Sequence, residues 1–133
     1  MGSANQQLSV VYDTGSDWLV LDTDFCDTCL NTVFNTSLST SYVNVSTDRI
    51  TQAYGSALIY AVNATDVTSL EDPTSSTGTQ LNPFNFLAMT WQTGIRETFD
   101  GIIGFSRQYY TDSFSSGPLF IEGLKNESKI TRE

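Results

Sequence analysis

An apolar run that ends abruptly at a carboxylate is the feature that most constrains how this chain can fold. Residues 10–16 read Val-Val-Tyr-Asp-Thr-Gly-Ser, and a second apolar run, Leu19-Val20-Leu21, follows closely. The glycine admits backbone angles that other residues avoid, and the Thr14 and Ser16 hydroxyls can hydrogen-bond locally to keep a turn rigid. The pattern therefore predicts a strand, a tight turn and a second strand, with the Asp13 side chain held at a fixed position.

Short apolar runs rich in β-branched and aromatic residues alternate with turn residues along the 133-residue chain. This composition predicts a single all-β domain. Only residues 117–125 favour a short helix, with Pro118 at the first helical position and Gly123 as a weak point. Strands are expected at residues 7–13, 18–21, 41–46, 50–54, 58–62, 66–70 and 84–89, and turn-rich segments at residues 31–40 and 71–78.

The charged residues exclude several classes of function. The net charge of -9 argues against a nucleic-acid partner and against attraction to an anionic membrane surface. The chain has no histidine, which removes Ser-His and Cys-His nucleophiles and histidine-ligated zinc. Acid or base chemistry must therefore rest on carboxylates, tyrosine or hydroxyls, and we expect no metal or organic cofactor. No apolar run is long enough to predict a membrane span.

Two cysteines, Cys26 and Cys29, leave three interpretations open: a local disulfide, a redox pair or half of a metal site. The metal site lacks a second ligand pair and the redox pair lacks its usual strand-to-helix setting, so a disulfide that pins a surface loop is favoured. Glycosylation sequons would suit an oxidising, glycosylating compartment, although chance accounts for some of them. They begin at Asn35, Asn44, Asn63 and Asn126.

Residues 11–20, Val-Tyr-Asp-Thr-Gly-Ser-Asp-Trp-Leu-Val, resemble the active-site segment of the pepsin-like aspartic peptidases. Two further stretches match that family in the same order. Residues 50–56, Ile-Thr-Gln-Ala-Tyr-Gly-Ser, are similar to the strand that leads into the flap, the hairpin that closes over bound peptide. Residues 99–105, Phe-Asp-Gly-Ile-Ile-Gly-Phe, are similar to the second signature of the family. The resemblance covers residues 7–124.

The resemblance implies a role for each matching residue. Asp13 would be a catalytic aspartate, and Thr14, Gly15 and Ser16 would support it. Cys26 and Cys29 fit the small disulfide loop that many members carry after the catalytic segment. Asp100 matches a structural position and is not expected to be catalytic. The residues expected to contact substrate or line its pocket are Tyr54, Gly55, Ser56, Val11, Phe99 and Ile102.

The chain also departs from the family pattern. Val20 stands where the family usually has tryptophan, and Trp18, two residues earlier, would lie on the same strand face and could partly replace that ring. Ala57 stands where the family commonly has a glycine after the flap turn. Aspartic peptidases use two carboxylates, yet Asp13 belongs to the one Asp-Thr-Gly of this chain. The sequence therefore holds half of an active site.

Three functions fit these observations. The first is the N-terminal lobe of a two-lobed aspartic endopeptidase, with residues 1–133 incomplete at both ends and the second lobe outside them. The second is a single-lobe enzyme that forms its aspartate pair by homodimerisation, as retroviral proteases do. The third is a non-catalytic binding or inhibitor protein that keeps the fold. The expected fold is a lobe resembling a double-psi β-barrel, with a flap hairpin and one short helix.

Under the peptidase interpretations the partners are a polypeptide substrate and either a second lobe or a second copy of the chain. Neither a nucleic acid nor a membrane span is expected. The resemblance implies a protein of the secretory pathway, located in a lysosome or vacuole or outside the cell.

Overall fold

A computed structural model describes residues 1–71, 79–95, 98–107 and 117–130 of the chain. Strands are the main secondary structure of the described residues, which contain one short α-helix, and this confirms the all-β prediction. A 3₁₀ turn at Thr36–Leu38 is the first helical element. The other elements are β1 (Val10–Asp13), β2 (Leu19–Asp22), β3 (Val43–Asn44), β4 (Ile50–Tyr54), β5 (Ala57–Ser69), β6 (Gln80–Thr93), β7 (Gly101–Gly104) and α1 (Phe120–Asn126).

The strands form one mixed sheet in the order β1-β7-β2-β6-β5-β3, with β4 paired to β5. Strand β7 lies between β1 and β2, parallel to the first and antiparallel to the second. A Cβ atom on Gly101 would overlap the Val20 carbonyl oxygen, and one on Gly104 would lie 2.5 Å from the Ser16 carbonyl oxygen. Glycine at both ends of β7 therefore allows this strand to enter beside the turn that follows β1.

The core occupies both faces of the central strands β2 and β6. Successive side chains of a strand point to opposite faces, so a strand buried on both sides is apolar throughout. On one face Leu21 packs with Phe86 of β6 and Phe120 of α1. On the other face Val20 packs with Leu87. This double burial holds β2, and with it the turn before β2, in a fixed place.

Most of the predicted strand boundaries were wrong: β1, β2 and β3 all begin later than predicted, and only β4 has the predicted bounds. The segments predicted at residues 58–62 and 66–70 are one continuous strand, β5, because Asn63 and Thr65 between them pair with Leu87 and Asn85 of β6. Two register shifts, at Tyr60/Ala61 and Asp66/Thr68, absorb the irregular pattern. The predicted strand at residues 84–89 is the centre of the longer β6, and β7 was not predicted as a strand.

The helix prediction was correct in place but not in its first residue. Helix α1 begins at Phe120, after Leu119 in extended conformation, so Pro118 lies before the helix and not at its first position. Gly123 has a packing reason: a Cβ atom there would lie 2.6 Å from Leu81 Cδ1, so glycine lets the helix approach β6 closely.

The two turn-rich segments have different outcomes. Within residues 31–40, Asn35 caps the 3₁₀ turn, since its side-chain oxygen accepts a hydrogen bond from Ser37 N at 3.1 Å. Of the segment at residues 71–78, only Glu71 lies among the described residues, and it is exposed. Within the described part of the chain, no helix has the length and apolar character needed to cross a membrane.

Candidate active site

The Asp13 carboxylate is held at the end of β1 by its own turn. Asp13 lies opposite Gly104 in the β1–β7 register, and its backbone oxygen accepts a hydrogen bond from Phe105 N at 2.7 Å. Its side-chain Oδ1 accepts a hydrogen bond from Gly15 N at 2.9 Å. The other carboxylate oxygen makes no hydrogen bond to any described residue. The turn thus orients a carboxylate while leaving one oxygen available.

Strands β4 and β5 form a hairpin with the tightest possible connection. Tyr54 pairs with Ala57, so Gly55 and Ser56 alone make the turn. Gly55 has a φ of 56°, in the left-handed region that glycine tolerates best and that two-residue hairpin turns require. This hairpin is the segment predicted to be the flap, and Tyr54 lies near its tip, directly before the turn.

A cavity of about 250 Å³ separates the Asp13 turn from this hairpin. Its walls come from two segments that are far apart in the sequence and that the sheet brings together. The turn contributes Asp13, Gly15, Ser16 and Asp17, and the hairpin contributes Gln52, Ala53, Tyr54 and Gly55. The cavity is therefore the place where a substrate could meet both the carboxylate and the tyrosine.

A larger groove of about 570 Å³ lies elsewhere on the chain. It runs along the opposite face of β1, where Val10 and Tyr12 point, and it also contacts Leu21 and Ile103. None of the predicted site residues lines it. The smaller cavity is therefore the better candidate, because it holds the chemical groups that a reaction would use.

The Tyr54 hydroxyl stays protonated across the physiological range. Burial raises the pKa of Tyr54 to about 12, and the carboxylates of Asp13 and Asp17 also raise it. The neighbouring Ser16 hydroxyl lowers the pKa of Tyr54. The Ser16 oxygen is buried and makes no regular hydrogen bond with any described group. Tyr54 can consequently donate a hydrogen bond into the cavity at any pH where the protein would work.

Three of the predicted pocket residues do not line the cavity. Val11 and Ile102 lie opposite each other in the β1–β7 register, on the same sheet face as Asp13. Ile102 is buried, whereas Val11 is 42% exposed. Phe99 precedes β7, and its carbonyl oxygen accepts a hydrogen bond from Asn31 Nδ2 at 2.8 Å.

The other predicted residues lie at or beside the cavity. Gly15, Tyr54 and Gly55 line the cavity, while Thr14 and Ser56 are exposed beside it.

The sequence analysis missed three of the cavity residues, namely Asp17, Gln52 and Ala53. Period-two alternation offered a signal for one of them, because Gln52 lies two residues before Tyr54 and hence on the same strand face. Asp17 follows the turn directly, but nothing in its own sequence position shows that it faces the hairpin.

Asp100 has a structural role, as the resemblance implied. Its Oδ2 accepts a hydrogen bond from Ser9 N at 2.7 Å, and its backbone oxygen accepts one from Asp22 N at 2.9 Å. Burial and, to a smaller extent, the nearby Asp100 carboxylate together raise the pKa of Asp22 to about 6. These two carboxylates lie at the opposite end of β1 from the cavity.

Trp18 packs against the core cluster that contains Val20 and is joined there by Tyr54. Trp18 precedes β2 and is not part of the strand, but its ring packs on the same side as Val20. A tryptophan ring is present beside the Asp13 turn even though the usual position holds valine.

The two cysteines form a disulfide, as predicted. Between them, Thr28 binds the end of β6: its hydroxyl oxygen accepts a hydrogen bond from Gln92 N at 2.7 Å, and its carbonyl oxygen accepts one from Gln92 Nε2 at 3.2 Å. The disulfide loop is therefore anchored to the strand that pairs with β5. Among the described residues, no group of three or more acidic or cysteine side chains could hold a metal ion.

Comparison with known families identifies the class of this protein. The family model described as eukaryotic aspartyl protease matches residues 1–133, and the chain belongs to that family. A search of curated proteins returned no match. The family indicates an aspartic protease type of function, a peptidase with peptide substrates, and the mixed sheet with one short helix agrees with a single lobe of the pepsin-like fold.

Proposed function

We propose that this chain supplies one of the two catalytic aspartates of an aspartic endopeptidase, and that Asp13 is that residue. The Asp13 carboxylate is the observation that carries the proposal. One of its oxygens is held by the Gly15 N–H, and the group lines a cavity that the Tyr54 hairpin covers. The family makes hydrolysis of a peptide bond the expected chemistry of such a group.

In the proposed reaction Asp13 lies about 3 Å from a second carboxylate and shares one proton with it, because two carboxylates that close cannot both ionise. The ionised member accepts a proton from water, whose oxygen attacks the scissile carbonyl carbon. The protonated member donates its proton to the carbonyl oxygen. The nitrogen then accepts the proton that the first carboxylate took from water, a hydroxyl of the intermediate gives its proton to the other carboxylate, and the carbon–nitrogen bond breaks. Thr14, Gly15 and Ser16 keep Asp13 in place.

The second aspartate must come from outside this chain, since the sequence contains a single Asp-Thr-Gly. Similarity to pepsin-like enzymes along the whole chain favours a C-terminal lobe as its source over a second copy of this one. We therefore expect the isolated chain to have little or no peptidase activity. An acid peptidase assay on the purified monomer checks this, and robust turnover that pepstatin inhibits would contradict it.

The proposed substrate is a polypeptide bound as an extended strand below the β4–β5 hairpin. Tyr54 would close over it and offer its protonated hydroxyl as a donor. A disulfide persists best in an oxidising compartment, which supports a protein of the secretory pathway in a lysosome, a vacuole or the extracellular space. Asn44 and Asn126 are exposed and are the sequons we expect to be glycosylated.

Substitution of Asp13 tests the proposed function in the full-length protein. Asp13→Asn should lower kcat/KM for a peptide substrate by on the order of 10³-fold or more, as loss of an essential catalytic group does. Asp100→Asn is the matched control, because asparagine keeps an oxygen that can accept the Ser9 N–H. Undiminished cleavage by the Asp13→Asn variant, or no cleavage by the wild type, would refute the proposal.

A further inference from the structure

A second carboxylate lines the cavity beside Asp13. Asp17 is partly buried and forms part of the wall that faces Gln52 and Tyr54. The negative charge of Asp17 acts on the Tyr54 hydroxyl, as that of Asp13 does. Asp17 therefore belongs to the space that a substrate would enter, although no role has so far been assigned to it.

The Asp17 side chain is held in one orientation. Its Oδ2 accepts a hydrogen bond from Gly117 N at 2.6 Å. Gly117 in turn lies on the ring of Trp18, where a Cβ atom would come within 2.5 Å of the indole carbons. The contact thus requires glycine. Oδ1 of Asp17 makes no hydrogen bond within the described ranges, so the carboxylate is anchored by one oxygen and available through the other.

The described residues that line the cavity include hydrogen-bond acceptors but no cation. Within residues 1–71, 79–95, 98–107 and 117–130, Asp17 forms no ion pair. Arg49 is occupied elsewhere, since its guanidinium carbon lies 4.4 Å above the centre of the Tyr60 ring. Ser16 Oγ is buried in the same wall without a hydrogen-bond partner among the described residues. Carboxylates partly removed from water without a counterion favour the binding of a cation.

We propose that Asp17 is a specificity-determining residue that binds a lysine or arginine side chain of the substrate next to the scissile bond. This inference rests on the proposed peptidase function and names the substrate class of the same site. A cavity of about 250 Å³ is below the roughly 300 Å³ at which sites for drug-sized ligands begin. It therefore suits one extended side chain.

The apolar residues expected to line the pocket do not compete for this role. Val11, Phe99 and Ile102 all lie outside the cavity wall. A basic side chain of the substrate that enters beside Asp13 would form an ion pair with Asp17 Oδ1. Its aliphatic part would pack along Tyr54. The cavity wall should therefore discriminate between substrate side chains by their charge more than by their size.

Two peptides that differ at one side chain test the inference. They carry lysine or methionine, which have similar length, beside a reduced peptide bond that cannot be cleaved. Their dissociation constants are measured by titration calorimetry on the full-length protein near neutral pH. The variant is Asp17→Asn, which keeps an acceptor for Gly117 N but loses the charge. The control is Asp48→Asn, which removes the same charge from an exposed residue outside the cavity.

The wild type and the Asp48→Asn control should bind the lysine peptide about tenfold more tightly than the methionine peptide, as expected for a hydrogen bond to a charged group. The Asp17→Asn variant should bind both equally. Equal binding by the wild type, no binding of either peptide, or an undiminished preference in Asp17→Asn would overturn the inference. Preferential binding without cleavage of the corresponding natural peptides would instead count against the proposed peptidase function.

Discussion

The two ends of the β1–β7 strand pair each carry an aspartate next to a close-packed glycine, yet the two carboxylates differ in burial and in the segment that holds them. At one end, Asp100 is 7% exposed and uses a carboxylate oxygen to satisfy the Ser9 N–H. At the other end, Asp13 is only partly buried, is held by its own turn and lines a cavity. We call these the closed end and the open end.

The difference shows that the neighbours of a carboxylate decide its role. At the closed end the carboxylate completes the hydrogen bonding of the backbone, and Asp22 is buried beside it with a raised pKa. At the open end one oxygen makes no hydrogen bond to any described residue, and a hairpin with a two-residue turn is the described element that covers it. The closed end should therefore govern stability, and the open end should govern activity.

The largest effect on stability is expected from Gly101→Ala at the closed end. The added Cβ would overlap the Val20 carbonyl oxygen, which belongs to a strand buried on both faces. Such overpacking should lower the free energy of unfolding by about 3 kcal/mol. Urea denaturation measures the loss.

Gly55→Ala at the open end is the matched control for Gly101→Ala. No atom lies within 4 Å of the new Cβ, and only the φ of 56° is unfavourable, which costs about 1 kcal/mol. Equal losses at Gly101 and Gly55 would remove the distinction between the two ends.

A smaller effect is expected from the titration of Asp22. Its pKa is raised from 3.8 to about 6 in the folded protein, so the fold favours the protonated form. The contribution of Asp22 to the free energy of unfolding should be highest below about pH 4, fall as the pH rises towards 6, and level off above it, with a total change of about 2 kcal/mol.

Asp22→Asn should remove this pH dependence and stabilise the protein at neutral pH. Thermal unfolding across the acidic range checks it, with Asp48→Asn as the control that should keep the wild-type slope. If the stability of the Asp22→Asn variant depended on pH as strongly as that of the wild type, ionisation of Asp22 would not destabilise the closed end.

The smallest effect is expected from Tyr54→Phe, which should act on activity and not on stability. Loss of the hydroxyl removes one hydrogen bond to substrate, so kcat/KM should fall by up to about tenfold while the ring keeps its packing. Because burial raises the pKa of Tyr54 to about 12, the alkaline limb of the pH–rate profile should be the same in both proteins. A loss of stability without loss of activity would place Tyr54 with the core instead of the site.

Much of the fold follows from local sequence. Strand β4 has the predicted bounds, Ile50–Tyr54, because its side chains alternate regularly between more and less exposed positions. Local signals misled where the sheet overrides them. Asn63 and Thr65 suggest an interruption, yet their backbone groups pair with β6 and continue β5. Strand β7 has only four residues, all of them buried, so it shows no alternation of polar and apolar side chains that would indicate a strand.

The sequence by itself determined the turn at Asp13, the local pairing of Cys26 with Cys29 and the family, because each depends on residues that are neighbours along the chain. Tertiary structure alone decided which other groups meet there. Asp17 faces Tyr54, and Asp22 lies beside Asp100, because strand order and register bring distant segments together. These contacts form across the sheet, where the pattern of any one strand carries no information about its partner.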